Sequence, residues 1–176
     1  MINAILGGLF LLVVVVLIYA ATKPDTFRVE RSISIKAPAE KIFPLIDDFH
    51  RWEQWSPWEK VDPALKRTYS GAASGQGAAY AWFGNKEIGQ GKMEIVESTP
   101  PARLLIKIDF LAPFEAHNTV EFTLRTQGDS TVLSHAMFGP SPYLAKLMGL
   151  FFSMDKMVGD KFEEGLGSLK AIAEAQ

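Results

Sequence analysis

The chain opens on twenty positions without a charge, INAILGGLFLLVVVVLIYAA over Ile2–Ala21, and only then begins to mix polar and apolar residues. At 1.5 Å rise per residue a helix over this run would reach across a hydrocarbon core of about 30 Å. A transmembrane anchor over residues 1–22 is the expectation. A cleaved signal peptide ending near Ala20 would need a basic n-region, which is missing, and a polyvaline stretch apolar on every side suits lipid better than the surface of a small domain. Residues 23–26 are then a short linker to a domain over 27–176. Lys23, Arg28, Arg31, Lys36 and Lys41 follow the apolar run, whereas only the α-amino group precedes it, so the domain is expected on the cytoplasmic side of the inner membrane.

From Phe27 the pattern alternates. Phe27, Val29, Ile33, Ile35 and Ala37 share one face and Arg28, Glu30, Ser32, Ser34 and Lys36 the other, which predicts a half-buried strand. Arg31 interrupts the apolar side, either near the strand's open end or paired there. Pro38 suits a first helical turn, and Ile42, Phe43, Leu45, Ile46 and Phe49 predict a short amphipathic helix in which Pro44 marks a break or an early turn. Trp52, Trp55 and Trp58 follow at three-residue spacing. Their indoles would close one end of the core in a helical turn, line the mouth of a cavity, or do both.

Leu65–Gly139 reads as an antiparallel meander with strands at Leu65–Gly71, Ala78–Phe83, Glu87–Glu97, Ala102–Leu111, Glu115–Thr126 and Ser130–Phe138. Gly84-Asn85, Thr99-Pro100-Pro101, Ala112-Pro113 and Gln127-Gly128-Asp129 supply the turns. Beyond Pro140 the period changes to that of a helix. Ser141 can cap, and Leu144, Leu147, Met148, Phe151, Val158, Phe162, Leu166, Leu169 and Ile172 predict one long helix running to the end, packed on the sheet. Gly149, Gly159, Gly165 and Gly167 would then mark close approach or a kink.

With the first strand the meander makes a seven-stranded curved sheet, so the fold class is α+β. Strand, two short helices, six strands and a long C-terminal helix is an order that resembles the helix-grip fold of the SRPBCC superfamily, which joins START, polyketide-cyclase and birch-pollen-allergen proteins. ISIKAPAEKIFPLIDDFHRWEQWSPWE, GQGAAYAWFGN, GQGKMEI and FEEGLGSLK resemble the bacterial polyketide-cyclase-like branch. The resemblance covers residues 27–174 and implies an elongated apolar pocket between sheet and helix. It also implies a Trp in the last strand, where this chain has His135.

Strand alternation nominates the lining of such a pocket: Tyr80 and Trp82, then Gly89, Gly91 and Met93, then Ile106 and Ile108, then Asn118, Val120 and Phe122, then His135 and Met137. Trp55, Trp58, Met148 and Phe151 would join from the Trp segment and the helix. Gly89 and Gly91 remove inward volume, which reads as strand curvature or as room for a ligand. Tyr80, Asn118 and His135 are the polar groups placed to orient a bound molecule.

Composition narrows the chemistry. The 18 basic and 20 acidic residues are interspersed, so no cationic face exists to track phosphates and nucleic acid is not an expected partner. Cysteine is absent, which removes disulfides and thiol catalysis. No Gly-x-Ser-x-Gly occurs, Ser134 points opposite to His135, and His50, His117 and His135 are scattered, so neither a covalent nucleophile nor a metal set forms, and no cofactor is implied. The expected partner is a hydrophobic small molecule or lipid, bound by a carrier or sensor. The alternatives are a non-covalent cyclase or aromatase with His135 as acid–base group, and a protein-interaction module using Phe151, Phe152 and the Trp segment. Phe151 and Phe152 would lie near the headgroups if the short linker holds the domain close.

Overall fold

The structure, a computed structural model, describes residues 2–175, with side chains from residue 5 onward. Helix α1 (Ile2–Ala21) precedes β1 (Thr26–Ile35), α2 (Ala39–Ile46) and two short 3-10 helices, Phe49–Gln54 and Pro57–Lys60. Six strands follow: β2 (Lys66–Gly71), β3 (Ala78–Phe83), β4 (Gln90–Thr99), β5 (Arg103–Ala112), β6 (Ala116–Gln127) and β7 (Ser130–Pro140). Helices α3 (Tyr143–Met148) and α4 (Met154–Ala175) complete the chain. The sheet is antiparallel with seven strands in the order β1-β7-β6-β5-β4-β3-β2, a meander whose last strand pairs with the first. This is the expected α+β helix-grip architecture.

Helix α4 lies over the concave face and buries Phe162, Leu166, Leu169 and Ala173. Its glycines have separate reasons. A Cβ on Gly165 would sit 3.2 Å from Pro57 and 3.4 Å from the Trp55 ring, while Gly167 faces open space. Arg31 points inward from β1 and is paired: its Nε donates to Glu163 at 2.7 Å and its Nη2 to Asp155 at 3.0 Å. The guanidinium therefore clamps the first turns of α4 to the edge strand.

Two expectations need correction. The final helix is not continuous. α3 ends at Gly149, whose N–H donates to the Ala145 carbonyl, and Leu150–Ser153 form a turn before Ser153 Oγ accepts from the Lys156 N–H and restarts helix as α4. Leu144, Met148 and Phe151 consequently stay off the buried stripe and are exposed. Pro44 does not break α2, which continues to Ile46. The proline sits in the last turn, where its missing N–H forfeits a single backbone bond.

Most side chains of α1 from Ile5 to Tyr19 are exposed; Val14 and Val16 are half-buried and Ala20 is buried near the helix end. Over the residues whose side chains are described, which in α1 begin at Ile5, no helix is long and apolar enough to cross a membrane.

Candidate functional site: the concave face of the sheet

Register aligns the inward side chains in rows across the sheet. His135 of β7 lies opposite Phe122 of β6 and Arg31 of β1; Met137 lies opposite Val120 and Val29; Gly139 lies opposite Phe27 and is followed across β6 by Asn118, which faces Ile108. At about 3.3 Å per residue, Asn118 and the Phe122 row are about 13 Å apart along the strand. Toward the far end the face is sealed, with Ile35, Leu104 and Leu133 fully buried. At the end where β1 begins and β7 finishes, Phe27, Ile108, Phe110 and Asn118 are only half-buried.

The middle of the face is filled by side chains. His135 is stacked between Phe122 and Phe162, with ring centroids 4.1 and 3.6 Å away. Burial pushes its imidazole down to about 3, so it is neutral at physiological pH and presents one donor and one acceptor. Gly91 leaves no room for a ligand, because the Trp82 indole occupies the space: a Cβ there would meet that ring at 2.4 Å and the Asp109 carbonyl oxygen at 2.6 Å. Gly89 lies outside the strand in a turn at φ 65°, with its Cα against the Ala112 carbonyl.

The nominated residues divide. Tyr80, Trp82, Met93, Ile106, Val120, Phe122, His135 and Met137 all reach the concave core with Trp55. Trp55 closes its side of the core, donating its indole N–H to the Leu45 carbonyl at 2.8 Å, and Trp52 donates to Ile46 at 3.0 Å. Trp58, Met148 and Phe151 lie on the outside.

Tyr80 is engaged elsewhere. Its hydroxyl donates to Glu59 Oε1 at 2.8 Å, and the other oxygen of Glu59 accepts from Arg67 Nε at 2.7 Å. Burial first, and then the adjacent carboxylate, hold the Tyr80 phenol well above its usual range. Sequence reasoning missed Glu59 and Arg67. The available signal was Arg67 itself, an inward-facing charge between Leu65 and Tyr69 that requires a buried counter-charge.

Asn118 differs. Its side chain makes no hydrogen bond among the described residues, and its Oδ1 lies where a Cβ on Gly139 would fall, 2.2 Å away. Beside this row, Thr26, Phe27, Arg28, Phe138 and Gly139 rim an open hollow of about 490 Å³. A second hollow of about 180 Å³ lies partly against Lys92, Lys107 and Asp109 on the outer face. There His117 faces outward, as alternation predicts, and its Nδ1 lies 2.7 Å from Asp109.

The layout defines a helix-grip protein, and sequence comparison agrees. The chain belongs to the family described as polyketide cyclase / dehydrase and lipid transport, whose family model matches residues 26–174. Comparison with curated proteins gives no match. Among solved structures, protein CV1439 from Chromobacterium violaceum is similar at 15% identity and TM-score 0.58, covering 86% of this chain and 99% of that one. Protein Ms6760 from Mycobacterium smegmatis is similar at 18% identity and TM-score 0.61, covering 87% and 94%. The di-domain ARO/CYC protein BexL of the BE-7585A biosynthetic pathway reaches TM-score 0.63 at 18% identity, with 90% of this chain matching 54% of that one. These likenesses concern the fold.

Proposed function

We propose that the protein is a membrane-tethered binder of a hydrophobic small molecule, a lipid or polyketide-like compound bearing a hydrogen-bonding group, which it carries or senses without altering. The observation that carries this reading is the unequal covering of the concave face: sealed at one end, half-open at the other, with the unpartnered Asn118 amide among Phe27, Ile108, Val120 and Met137. An apolar wall with one placed polar group is the usual form of a small-molecule site. Entry of a lipid-sized guest deeper along the face would require Met137 and its neighbours to give way, which a flexible thioether allows.

The family description covers both cyclisation and lipid transport, and BexL is an ARO/CYC protein, so a non-covalent cyclase using the same row is the second reading. What favours carriage is the state of the inward ionisable groups. Arg31, Glu59, Arg67 and Tyr80 are each held in an ion pair or hydrogen bond, and His135 is kept neutral.

The anchor is the remaining part of the proposal. It is supported by the charge-free sequence of α1 and by apolar side chains exposed around the helix, a surface that costs less in lipid than in water. Its 20 residues correspond to about 30 Å of rise. Lys23, Lys36 and Lys41 would keep the domain on the cytoplasmic side.

Binding of fluorescent fatty-acyl and polyaromatic probes to the full chain in lipid nanodiscs tests the reading. One-to-one saturation, mutual competition and loss of binding in Ile108→Trp are expected. Absence of saturable binding would point instead to an interaction module, and conversion of a poly-β-ketone thioester to a cyclised product would establish the second reading.

A further inference from the structure

No residue of α3 is buried. Tyr143, Leu144 and Met148 are large and exposed, and the turn that follows presents Phe151 and Phe152 at 71% and 62% exposure. A run of adjacent large apolar side chains that the rest of the domain leaves uncovered is a surface built for another apolar phase.

Its position says which phase. The Tyr143 hydroxyl donates to the Leu17 carbonyl of α1 at 2.9 Å, and the Lys146 ammonium pairs with Asp25 at the junction of α1 and β1. Leu17 precedes Ala21 by one turn, so the contact lies about 6 Å inside the end of α1. With α1 across a bilayer, that is the depth of the boundary between headgroups and acyl chains, where tyrosine rings settle. The sheet agrees. Register puts the β5–β6 turn, which carries Phe114 at 67% exposure, at the same end of the sheet as Thr26 and Pro140, where α1 enters.

We infer that α3 and the Phe151–Phe152 turn form a second membrane contact, lying in the plane of the interface beside α1 and inserting their aromatic side chains among the lipids. This rests on the anchor reading above and goes beyond it. A tether alone leaves the domain free to tumble, whereas a second contact fixes which side of it meets the bilayer. The side it selects is the half-open end of the concave face, so a hydrophobic molecule leaving the membrane meets Phe27 and Gly139 without crossing bulk water.

The chain has no cysteine, so single-cysteine variants accept a spin label at one place only. Leu11→Cys, Phe151→Cys, Phe152→Cys and the outer-face control Glu94→Cys are placed in the full chain, reconstituted in vesicles of phosphatidylcholine and phosphatidylglycerol. Collision with oxygen, which concentrates in lipid, is compared with collision with a water-soluble nickel chelate. The expected result is an oxygen-to-nickel ratio highest at position 11 and several-fold above the Glu94→Cys value at 151 and 152. Labels at 151 and 152 resembling the control while position 11 reads as deep would overturn the inference and leave the anchor standing. A nickel-accessible position 11 would overturn both. Labels at 151 and 152 shielded from both reagents and broadened by a neighbouring label would assign the patch to a second copy of the chain and also overturn it.

Discussion

The guanidinium of Arg31 and the bare Cα of Gly159 share one contact: a Cβ built on Gly159 would lie 2.1 Å from Arg31 Nη2. The glycine is therefore what lets α4 come close enough for Arg31 to reach both Asp155 and Glu163. Gly159→Ala should push the guanidinium, the mobile end of its side chain, off Asp155 and Glu163. Exposed pairs of this kind are worth about 0–1 kcal/mol and alanine gains about 1 kcal/mol of helix propensity, so the net change in urea unfolding should stay within about 1 kcal/mol. In Arg31→Ala the same alanine should stabilise by up to about 1 kcal/mol, because the atom it strikes is gone and the gain in helix propensity remains.

His135 should make stability depend on pH. With its folded value near 3 and an unfolded value of about 6.5, only the unfolded chain takes up this proton between those limits. Its contribution is complete above about pH 6.5 and is lost as pH falls toward 3, by up to about 4 kcal/mol. His135→Phe keeps an aromatic ring between Phe122 and Phe162 without the proton. Subtracting its unfolding free energies from those of the wild type, pH by pH, should isolate this slope, and a zero difference would contradict it.

Tyr80→Phe removes the donor to Glu59 and leaves a buried carboxylate oxygen without that partner. A loss of about 1–3 kcal/mol is expected in denaturant unfolding. Combining it with Glu59→Gln should give less than the sum of the two single effects. Probe binding should change little in Tyr80→Phe, since that hydroxyl is already occupied.

Asn118 should show the opposite pattern. Its amide has no partner to lose among the described residues, so Asn118→Leu should leave the melting temperature of the ligand-free protein unchanged or raise it. The affinity for a probe with a polar head should fall about tenfold, the worth of one hydrogen bond, while a purely hydrocarbon probe should bind as before.

Much of the fold was legible because strands announce themselves by alternation and turns by their chemistry. β3 falls on the expected bounds, Ala78–Phe83, and the seven-strand meander follows from the same signals. The break between α3 and α4 was not legible, because Leu147, Met148, Phe151 and Val158 keep a helical spacing across it. Only Ser153, a capping residue inside an apparent helix, hinted at a second start.

The site was legible by face and illegible by filling. Alternation put Asn118, Val120, Phe122, His135 and Met137 on the inner side, but whether a gap remains depends on neighbours from distant strands and helices. Trp82 fills the space beside Gly91, and Phe162 closes over His135. Such pairings are set by register and helix placement, which periodicity within one segment does not encode. Inward charges carry a signal that was read at Arg31 and missed at Arg67. Arg31 and Arg67 each interrupt an apolar face, and each meets its carboxylates on the element that covers it.

The pairing of β1 along its whole length with β7, ten residues from Thr26↔Pro140 to Ile35↔Thr131, has a mechanical corollary. Force transmitted through α1 enters the domain at Thr26 and is directed along the strand axis, so the backbone bonds of the ladder are loaded in shear, together, rather than unzipped one after another. Whatever holds α1 can tug on the domain without peeling away its outermost strand.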